Sequence, residues 1–587
     1  MQAALQKGES LNTGRNRALF VLFILLFTIL SIMATGYHHD AGSNHPLQLI
    51  LVQKLHNPDL YPNDDFVRET AFAYASTLWY LIAQLALYFD LTKILFVVFL
   101  VSRVLLVVGA ARLARAFFPD SPFAPYVAMI FIATIPQPLV GAGNPIKNYA
   151  EQTTIALAFI FLSLSFFLEG RFVWTGVFLG LAFDMNSMYA GFALVYLLAS
   201  IVFVKEYRKD IKKWVFTVLG ALLIGFPGLY LAIKSGWGKP FNEEATWMAA
   251  EIEMPYHFFP QTWTIEAQTL LLGLMAISWL LAYRLARTLS PKSPVLGIWT
   301  WVALLWYLIA WINPYLLHSF FLLRLHPIRG HDIWMYVFGI FMASAMFTWF
   351  VRKRNEKIFV NLTAFLILFI SIFWYVLRYL SISYIIFIIF SVVGFIIIYN
   401  LNFIRNRWEP AIAGLLTILL MMRTGAIYLR EVQHTGNWLR TEPLPCRQAA
   451  EWAARATRPE DVFIVPAGLE EGWIHFRHLA QRNVFGTWKD GTSWPYAPWY
   501  AEKWLTKMKE LGLFEIAGLR EDQHRLGDWT WVREKYCNIF YRKMVNEDRV
   551  LNLSKKYRIN YWITYKEVPT KLPVVYQYGD WKILKVE

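Results

Sequence analysis

Long apolar runs separated by short polar loops dominate the chain from Ala18 to about Leu429. Each run is roughly 16 to 25 residues long, which is about enough for a helix to cross a hydrocarbon core of about 30 Å. The pattern therefore predicts about thirteen membrane-spanning helices, near residues 18–36, 92–116, 124–141, 153–169, 172–187, 188–204, 214–233, 264–283, 294–316, 333–351, 358–377, 382–400 and 409–429.

Two stretches admit more than one interpretation. The run from Phe72 to Phe89 is apolar enough to span, but counting it would move every later basic cluster to the opposite face, so we interpret it as an interfacial helix. Between residues 172 and 204, Asp184 and Asn186 interrupt the apolar run. Two spans and a single re-entrant pair both fit that stretch.

Positive charge predicts the orientation. Lys and Arg are about twice as frequent on the side of the N-terminus as on the other side, and cytoplasmic loops carry such an excess. The sequence therefore predicts a cytoplasmic N-terminus, and an odd number of spans places residues 430–587 on the outer face. The net charge of +15 is explained by this rule, so nucleic acid is not a predicted partner.

Composition changes after Arg430. The whole chain has 57% hydrophobic and 17% charged residues, but the last part has the shorter, mixed pattern of a small α/β domain. We expect helices at 446–456, 500–511 and 547–556. We expect strands at 462–466, 483–488, 559–565 and 572–586, the last of them interrupted by a Tyr-Gly-Asp turn.

The predicted fold class is a polytopic α-helical membrane protein with a C-terminal extracytoplasmic α/β domain. Its parts are a cytoplasmic tail at 1–17, a first transmembrane helix at 18–36, an extracytoplasmic loop with interfacial helices at 37–91, a multispan domain at 92–429 and the α/β domain at 430–587.

The C-terminal domain contains two sets of residues with open interpretations. Cys446 and Cys537 form one disulfide or remain two thiols. Its tryptophans suit stacking on a carbohydrate or peptide, and equally suit packing onto the membrane surface; they are Trp473, Trp488, Trp494, Trp499 and Trp504.

The first predicted outer loop is rich in acids, with Asp40 directly after the first span and Asp64 and Asp65 farther on. A carboxylate at the membrane surface can act as a general base toward an acceptor hydroxyl. The alternative is that Asn63, Asp64 and Asp65 cap the next helix.

A second predicted outer loop is basic and contains Arg324, His326, Arg329 and His331 within eight residues. Arg presents planar donors that suit phosphate oxygens, so the cluster indicates recognition of a phosphorylated lipid headgroup. The alternative is that these side chains extend toward bulk headgroups. Lys147 and Glu151 lie in another predicted outer loop.

This arrangement resembles the GT-C superfamily of glycosyltransferases, and in particular its uncharacterised bacterial branch, in which a segment similar to PLQLILVQKLHNPDLYPNDDFV follows the first span. The stretch EWAARATRPEDVFIVP is similar in layout to the soluble domain of oligosaccharyltransferase catalytic subunits. The chain lacks their WWDYG motif, so the resemblance does not extend to peptide-acceptor recognition of that kind.

The resemblance implies inverting transfer of a sugar from a polyprenyl phosphate or diphosphate to the hydroxyl of a glycan, lipid or protein acceptor, in a bacterial plasma membrane. It implies that Asp40 is the base, with Asp64 and Asp65 as rivals. The cluster from Arg324 to Arg329 would hold the lipid phosphate. The full set of residues implied to bind the phosphate or another part of the donor is Arg324, His326, Arg329, His331, Lys147 and Glu151. No metal or other cofactor is predicted. A lipid-linked-sugar transporter and a non-catalytic membrane scaffold remain alternatives.

Overall fold

A computed structural model describes residues 13–38, 44–74, 76–122, 124–134, 138–141, 143–236, 238–285, 290–352, 444–467, 472–512 and 537–587. This part of the chain is mostly helical, and a small sheet lies near the C-terminus.

The helices before residue 353 include short and long elements. They are α1 (Thr13–Thr35), α2 (His45–His56), α3 (Asp65–Thr70), α4 (Thr77–Leu85), α5 (Leu91–Phe117), α6 (Ala124–Ala133), α7 (Gln152–Leu168), α8 (Phe172–Met185), α9 (Ser187–Phe203), α10 (Lys205–Arg208), α11 (Ile211–Ile224), α12 (Phe226–Gly236), α13 (Glu243–Glu253), α14 (Pro255–Phe258), α15 (Ile265–Leu280), α16 (Ser293–Ile312), α17 (Phe320–Leu325) and α18 (Arg329–Arg352).

Three of the described helices are long and apolar enough to cross a membrane: Leu91–Phe117, Ile265–Tyr283 and Ser293–Leu317. A fourth crossing results if α11 and α12, which meet at an angle of 59°, form one broken span. The predicted spans at 358–377, 382–400 and 409–429 lie outside the described residues. The structure thus agrees with a helical, membrane-like protein without giving the count of thirteen.

The predicted elements at 124–141 and 72–89 are both shorter in the structure. The helix predicted at 124–141 ends at Ala133, and Pro136 and Pro138 follow in the sequence; proline cannot continue a helix because it lacks the N–H donor. Among the described residues of the apolar run at 72–89, the longest helix is the nine-residue α4, which is about 14 Å long and too short to cross.

Asn186 separates α8 from α9 at the interruption predicted within 172–204. Its side-chain oxygen accepts a hydrogen bond from the Tyr189 N–H at 3.2 Å and so caps α9. Within α8, Gly180 allows close approach of α11, since a Cβ there would lie 2.7 Å from the Ala221 carbonyl oxygen. Small residues permit such close packing between apolar helices.

The C-terminal part contains five short strands and several helices. These are α19 (Cys446–Ala456), β1 (Val462–Ile464), α20 (Phe476–Ala480), β2 (Asn483–Val484), α21 (Ala501–Glu510), α22 (Cys537–Met544), α23 (Glu547–Tyr557), β3 (Tyr561–Tyr565), β4 (Val574–Tyr578) and β5 (Trp581–Lys585).

The strands form one mixed sheet in the order β2-β1-β3-β5-β4. Strand β1 pairs in parallel with β2 and β3, whereas β5 pairs antiparallel with β3 and β4. Gly579 takes a φ of 46° in the turn between β4 and β5, which is the predicted Tyr-Gly-Asp turn. The small sheet domain expected near the C-terminus is therefore present.

One hydrophobic core joins three distant parts of the sequence. It contains Tyr61, Phe66 and Val67 from the first loop (residues 37–91), Ala249 and other residues of the 245–259 segment, and most buried residues of the C-terminal domain. The first loop is therefore packed against the C-terminal domain, and both contribute to the surroundings of the site described next.

Candidate anion-binding site

Arg329 is the centre of a group of basic side chains at the N-terminus of α18. Its Nη1 donates to the Gly143 carbonyl oxygen at 2.7 Å and to the Tyr189 hydroxyl at 3.2 Å. Asp332 lies 3.7 Å from the same nitrogen and accepts a hydrogen bond from Tyr189 at 2.7 Å. These contacts hold the guanidinium in place while leaving 15% of the side chain exposed.

Two buried imidazoles lie beside it. The rings of His257 and His326 are 4.9 Å apart, and Nδ1 of His257 is 2.7 Å from the Gly141 carbonyl oxygen. Burial lowers the pKa of both imidazoles well below the usual value, and the charge of Arg329 lowers it further. Both rings are therefore neutral at neutral pH.

Two lysines complete the group, which we call the basic site: Lys147, His257, His326, Arg329 and Lys489. Burial lowers the pKa of Lys147; the carboxylate of Glu151 opposes this shift and Arg329 adds to it. Lys489 is 8% exposed and comes from the C-terminal domain. The charges of both lysines lower the pKa of His257, so all of these groups act on one another.

Several buried nitrogens around the basic site have no hydrogen-bond partner in the described part of the chain. They include Arg329 Nε, His326 Nε2 and Trp494 Nε1. The Phe258 ring connects two of them, since its centroid is 4.3 Å from that of His326 and 4.9 Å from that of Trp494. Leaving a buried polar atom unpaired costs about 1–3 kcal/mol. An anionic ligand would supply the missing acceptors.

A second polar group, which we call the Glu151 cluster, consists of Gln48, Tyr74, Trp79, Glu151 and Gln152. Gln48 donates to Oε1 of Glu151 at 3.3 Å. The Tyr74 hydroxyl accepts from the side-chain amides of Gln48 at 2.9 Å and Gln152 at 2.8 Å. Trp79 donates to Gln152 at 2.9 Å. The cluster therefore connects the first loop to the start of α7.

The side chain of Asp64 makes structural contacts in the interface between the first loop and the C-terminal domain. One carboxylate oxygen accepts from the Val67 N–H at 3.1 Å and caps α3. The other accepts from Arg477 Nε at 2.6 Å and from the Val484 N–H at 2.9 Å. The capping interpretation thus describes Asp64, whose oxygens are both occupied.

The two other predicted bases, Asp65 and Asp40, differ from Asp64 in what the structure shows of them. Asp65 lies 3.0 Å from Lys507 Nζ and 3.1 Å from Arg68. Burial alone would raise the pKa of Asp65, but the positive charge and hydrogen bond of Lys507 outweigh it and lower that pKa. Asp40 lies outside the described residues. The backbone N–H of His38, the last described residue before it, donates to the Asn148 carbonyl oxygen at 2.9 Å, next to Lys147.

The predicted basic loop divides between several environments. His326 and Arg329 belong to the basic site, whereas Arg324 Nε donates to the Pro495 carbonyl oxygen at 3.0 Å and leans over Phe320. His331 is fully buried, with Nδ1 hydrogen-bonded to the Ile328 carbonyl oxygen. Two of the four predicted residues therefore share the site with Lys147, and Glu151 lies beside it.

Sequence reasoning placed neither His257 nor Lys489 in the basic site. Each comes from a segment far away along the chain, and only the fold brings them to Arg329. Arg477 was also not recognised as a partner of Asp64. It forms a two-pronged ion pair with Asp490 through contacts of 2.9 Å and 2.9 Å. Asp64 and Arg477 are more than four hundred residues apart in the sequence, so no spacing rule could connect them.

Neither of the two open interpretations of the C-terminal tryptophans, stacking on a ligand or packing onto the membrane surface, fits four of the five. Their side chains are at most 2% exposed and belong to the shared hydrophobic core; they are Trp473, Trp488, Trp494 and Trp504. Trp499 is partly buried, with Lys239 Nζ 4.1 Å from its ring centroid. Packing in the core of the C-terminal domain, rather than a stacking surface or a membrane face, accounts for these four rings.

Comparisons with known proteins cover a limited part of the chain. Residues 445–511 match a domain of unknown function, DUF6798. This segment contains Arg477, Lys489 and Asp490. No curated protein matches the sequence. Within the described ranges, no group of three or more His, Cys, Asp or Glu side chains is arranged to hold a metal ion.

Proposed function

We propose that the chain is an integral-membrane glycosyltransferase of GT-C type, which transfers a sugar from a polyprenyl phosphate or diphosphate to an acceptor hydroxyl. About thirteen spans, a cytoplasmic N-terminus and an outer C-terminal domain in a bacterial plasma membrane complete this proposal. The observation that carries it is the basic site, where charged and unpaired donors from the membrane-like and C-terminal parts converge on Arg329.

The basic site suits a phosphate that becomes a leaving group. As the acceptor oxygen forms a bond to the anomeric carbon, the bond from that carbon to the phosphate oxygen breaks and negative charge grows on the phosphate. Fixed donors in a site with little water stabilise such charge more than they stabilise the ground state. Arg329 and Lys489 act as these donors, and direct displacement inverts the anomeric configuration.

The base that receives the acceptor proton is Asp40 in this proposal. Asp64 has no free oxygen for this role, and Asp65 is held by Lys507. Asp40 follows His38 by two residues, and the His38 backbone is bound beside Lys147. The proton moves from the acceptor hydroxyl to the Asp40 carboxylate as the glycosidic bond to the phosphate breaks.

The test is an assay of sugar transfer from radiolabelled polyprenyl-phosphate sugars by the purified full-length protein. Removing one fixed donor to the developing charge typically costs about 10²–10³-fold in kcat, so we expect a loss of that order for R329M. We expect K489M and D40N also to reduce kcat. The control is R68M, because Arg68 is an exposed cation that lies outside the basic site.

Full transfer activity in both R329M and D40N would refute the proposal. A transporter of lipid-linked sugars is the second candidate, favoured by the buried carboxylate oxygens of Glu151 and Asp184 that lack a partner in the described part of the chain. Movement of a fluorescent polyprenyl-phosphate sugar across liposome membranes, without any transfer to an acceptor, would support that candidate instead.

A further inference from the structure

One loop, residues 143–151, connects the Glu151 cluster to the basic site. In residues 143–151, the Gly143 carbonyl oxygen accepts from Arg329 at 2.7 Å and the Lys147 N–H donates to Thr154 at 3.1 Å. Glu151 closes this loop, and its charge acts on Lys147. The charges of Glu151 and Arg329 both act on Lys147, so the two side chains lie on either side of one lysine.

Glu151 has one carboxylate oxygen that nothing in the described part of the chain satisfies. The residue is 2% exposed, and its Oε2 is fully buried without a hydrogen-bond partner. Its other oxygen accepts from Gln48 and Thr153, both at 3.3 Å. An ionised carboxylate accepts hydrogen bonds with both oxygens and donates none. The unpaired oxygen therefore requires a hydrogen-bond donor.

Glu151 is the residue just before α7. Short polar side chains such as Asp, Asn or Ser commonly cap a helix from this position. Glu151 makes no such capping bond. Its side chain points instead toward Gln48 and Tyr74, which belong to the first loop. Helix capping is thus not the reason for this carboxylate.

We infer that the Glu151 cluster binds the sugar of the lipid-linked donor, with Oε2 of Glu151 accepting a hydrogen bond from a hydroxyl or amino group on the ring. This inference rests on the proposed function and adds the part of the site that distinguishes one sugar from another.

The chemistry of the cluster favours a sugar over a second phosphate. Its negative charge would repel a phosphate, whereas carboxylate and carboxamide oxygens accept from hydroxyl groups and amide nitrogens donate to them. The side chain of Tyr74, which is only partly buried, adds aromatic surface to these groups. The basic site thus suits the phosphate of a glycosyl phosphate, and the Glu151 cluster suits its sugar.

The experiment measures binding of carriers to the full-length protein by intrinsic tryptophan fluorescence. The probes are a bare polyprenyl phosphate, a polyprenyl-phosphate hexose, its analogues that lack one ring hydroxyl, and an aminohexose analogue. We expect E151Q to weaken the hexose carrier roughly tenfold, which is the order for a hydrogen bond to a charged group. We expect the bare carrier to bind E151Q no more weakly than the unmodified protein, because E151Q removes a negative charge near the phosphate.

Control variants separate a lost contact from a lost fold. E266Q makes the same change at an exposed position and should leave both carriers unaffected. E151D retains the charge but withdraws the free oxygen, and a partial loss confined to sugar-bearing carriers is expected. The deoxy analogue that lacks the hydroxyl bound by Glu151 should bind E151Q and the unmodified protein equally, and it thereby identifies the ring position. The aminohexose carrier should bind the unmodified protein more tightly than the hexose carrier only if an ammonium group makes this contact.

Equal weakening of bare and sugar-bearing carriers by E151Q, or no weakening of either, would overturn this inference while leaving the proposed function standing. If the unmodified protein binds neither kind of carrier, the proposed function fails, and this inference fails with it. The two failures are thus distinguished by the unmodified protein alone.

Discussion

A single buried arginine joins the first loop to the C-terminal domain. Arg477 lies between Asp64 and Asp490, and all three side chains are at most 3% exposed. A second set of contacts supports Asp490, whose oxygens also accept from the N–H and hydroxyl of Thr487. Every charge in this group therefore has partners, as buried charges require.

Removing the guanidinium would leave two carboxylates buried without a cation. We expect R477M to lower the free energy of unfolding by about 3–5 kcal/mol, because breaking a buried ion pair has that cost. Denaturant unfolding in detergent micelles would measure it. R68M is the control, since the exposed pair of Arg68 with Asp65 should contribute less than about 1 kcal/mol. Equal effects of the two variants would contradict the structural role of Arg477.

The imidazoles of the basic site make stability depend on pH. The folded-state pKa of His326 lies well below its usual value because of burial and the charge of Arg329, whereas an unfolded histidine titrates near about 6.5. Below that pH the unfolded chain binds more protons than the folded one, so stability falls as the pH falls.

We therefore expect the midpoint of thermal unfolding to drop between pH 7.5 and pH 5.5, and to drop less in H326F, which cannot take up the proton. The measurement is thermal unfolding of both proteins across that range. The same pH slope in both would show that His326 does not contribute.

At the scale of helices and strands, local pattern was a good guide where an element faces one environment. Helix α19 begins and ends where its amphipathic pattern does, at Cys446 and Ala456, and the β4–β5 hairpin turns at Gly579 as expected. The local sequence pattern did not predict the role of a residue where contacts with distant parts of the chain determine that role. Asp64 reads equally well as a helix cap or a surface base, and only its contact with Arg477 distinguishes the two.

The packing of α8 against α11 offers a test at this scale. A methyl group on Gly180 would lie 2.7 Å from the Ala221 carbonyl oxygen and 2.6 Å from Ile224, so G180A must separate the helices. We expect a loss of about 1–3 kcal/mol, as for other overpacked positions.

The control is G191A, because a methyl group there meets nothing within 4 Å. Alanine favours a helix over glycine by about 1 kcal/mol, so G191A should raise the midpoint of thermal unfolding while G180A lowers it. A rise in both would show that α8 and α11 do not pack closely.

At the scale of the whole molecule, membrane orientation is the central prediction. The distribution of Lys and Arg along the sequence predicts this orientation. Contacts within the protein do not reveal it, because they do not involve the bilayer. The exposed residues Lys209 and Lys555 lie on opposite predicted sides.

We expect a cysteine introduced by K555C to react with a membrane-impermeant maleimide on intact cells, and one introduced by K209C to react only after the cells are opened. Labelling of the unmodified protein, whose Cys446 is buried, sets the background. The reverse pattern would invert the proposed topology and place the basic site on the cytoplasmic side.

The shared core of the first loop and the C-terminal domain also bears on evolution. The segment that matches DUF6798 contains Arg477 and Asp490 but ends before β3 and does not include Asp64. A lineage that loses the acid at position 64 leaves the arginine with one partner fewer, so selection acts on both positions together. Alignments of chains that carry this domain should therefore show correlated change between positions 64 and 477, although more than four hundred residues separate them.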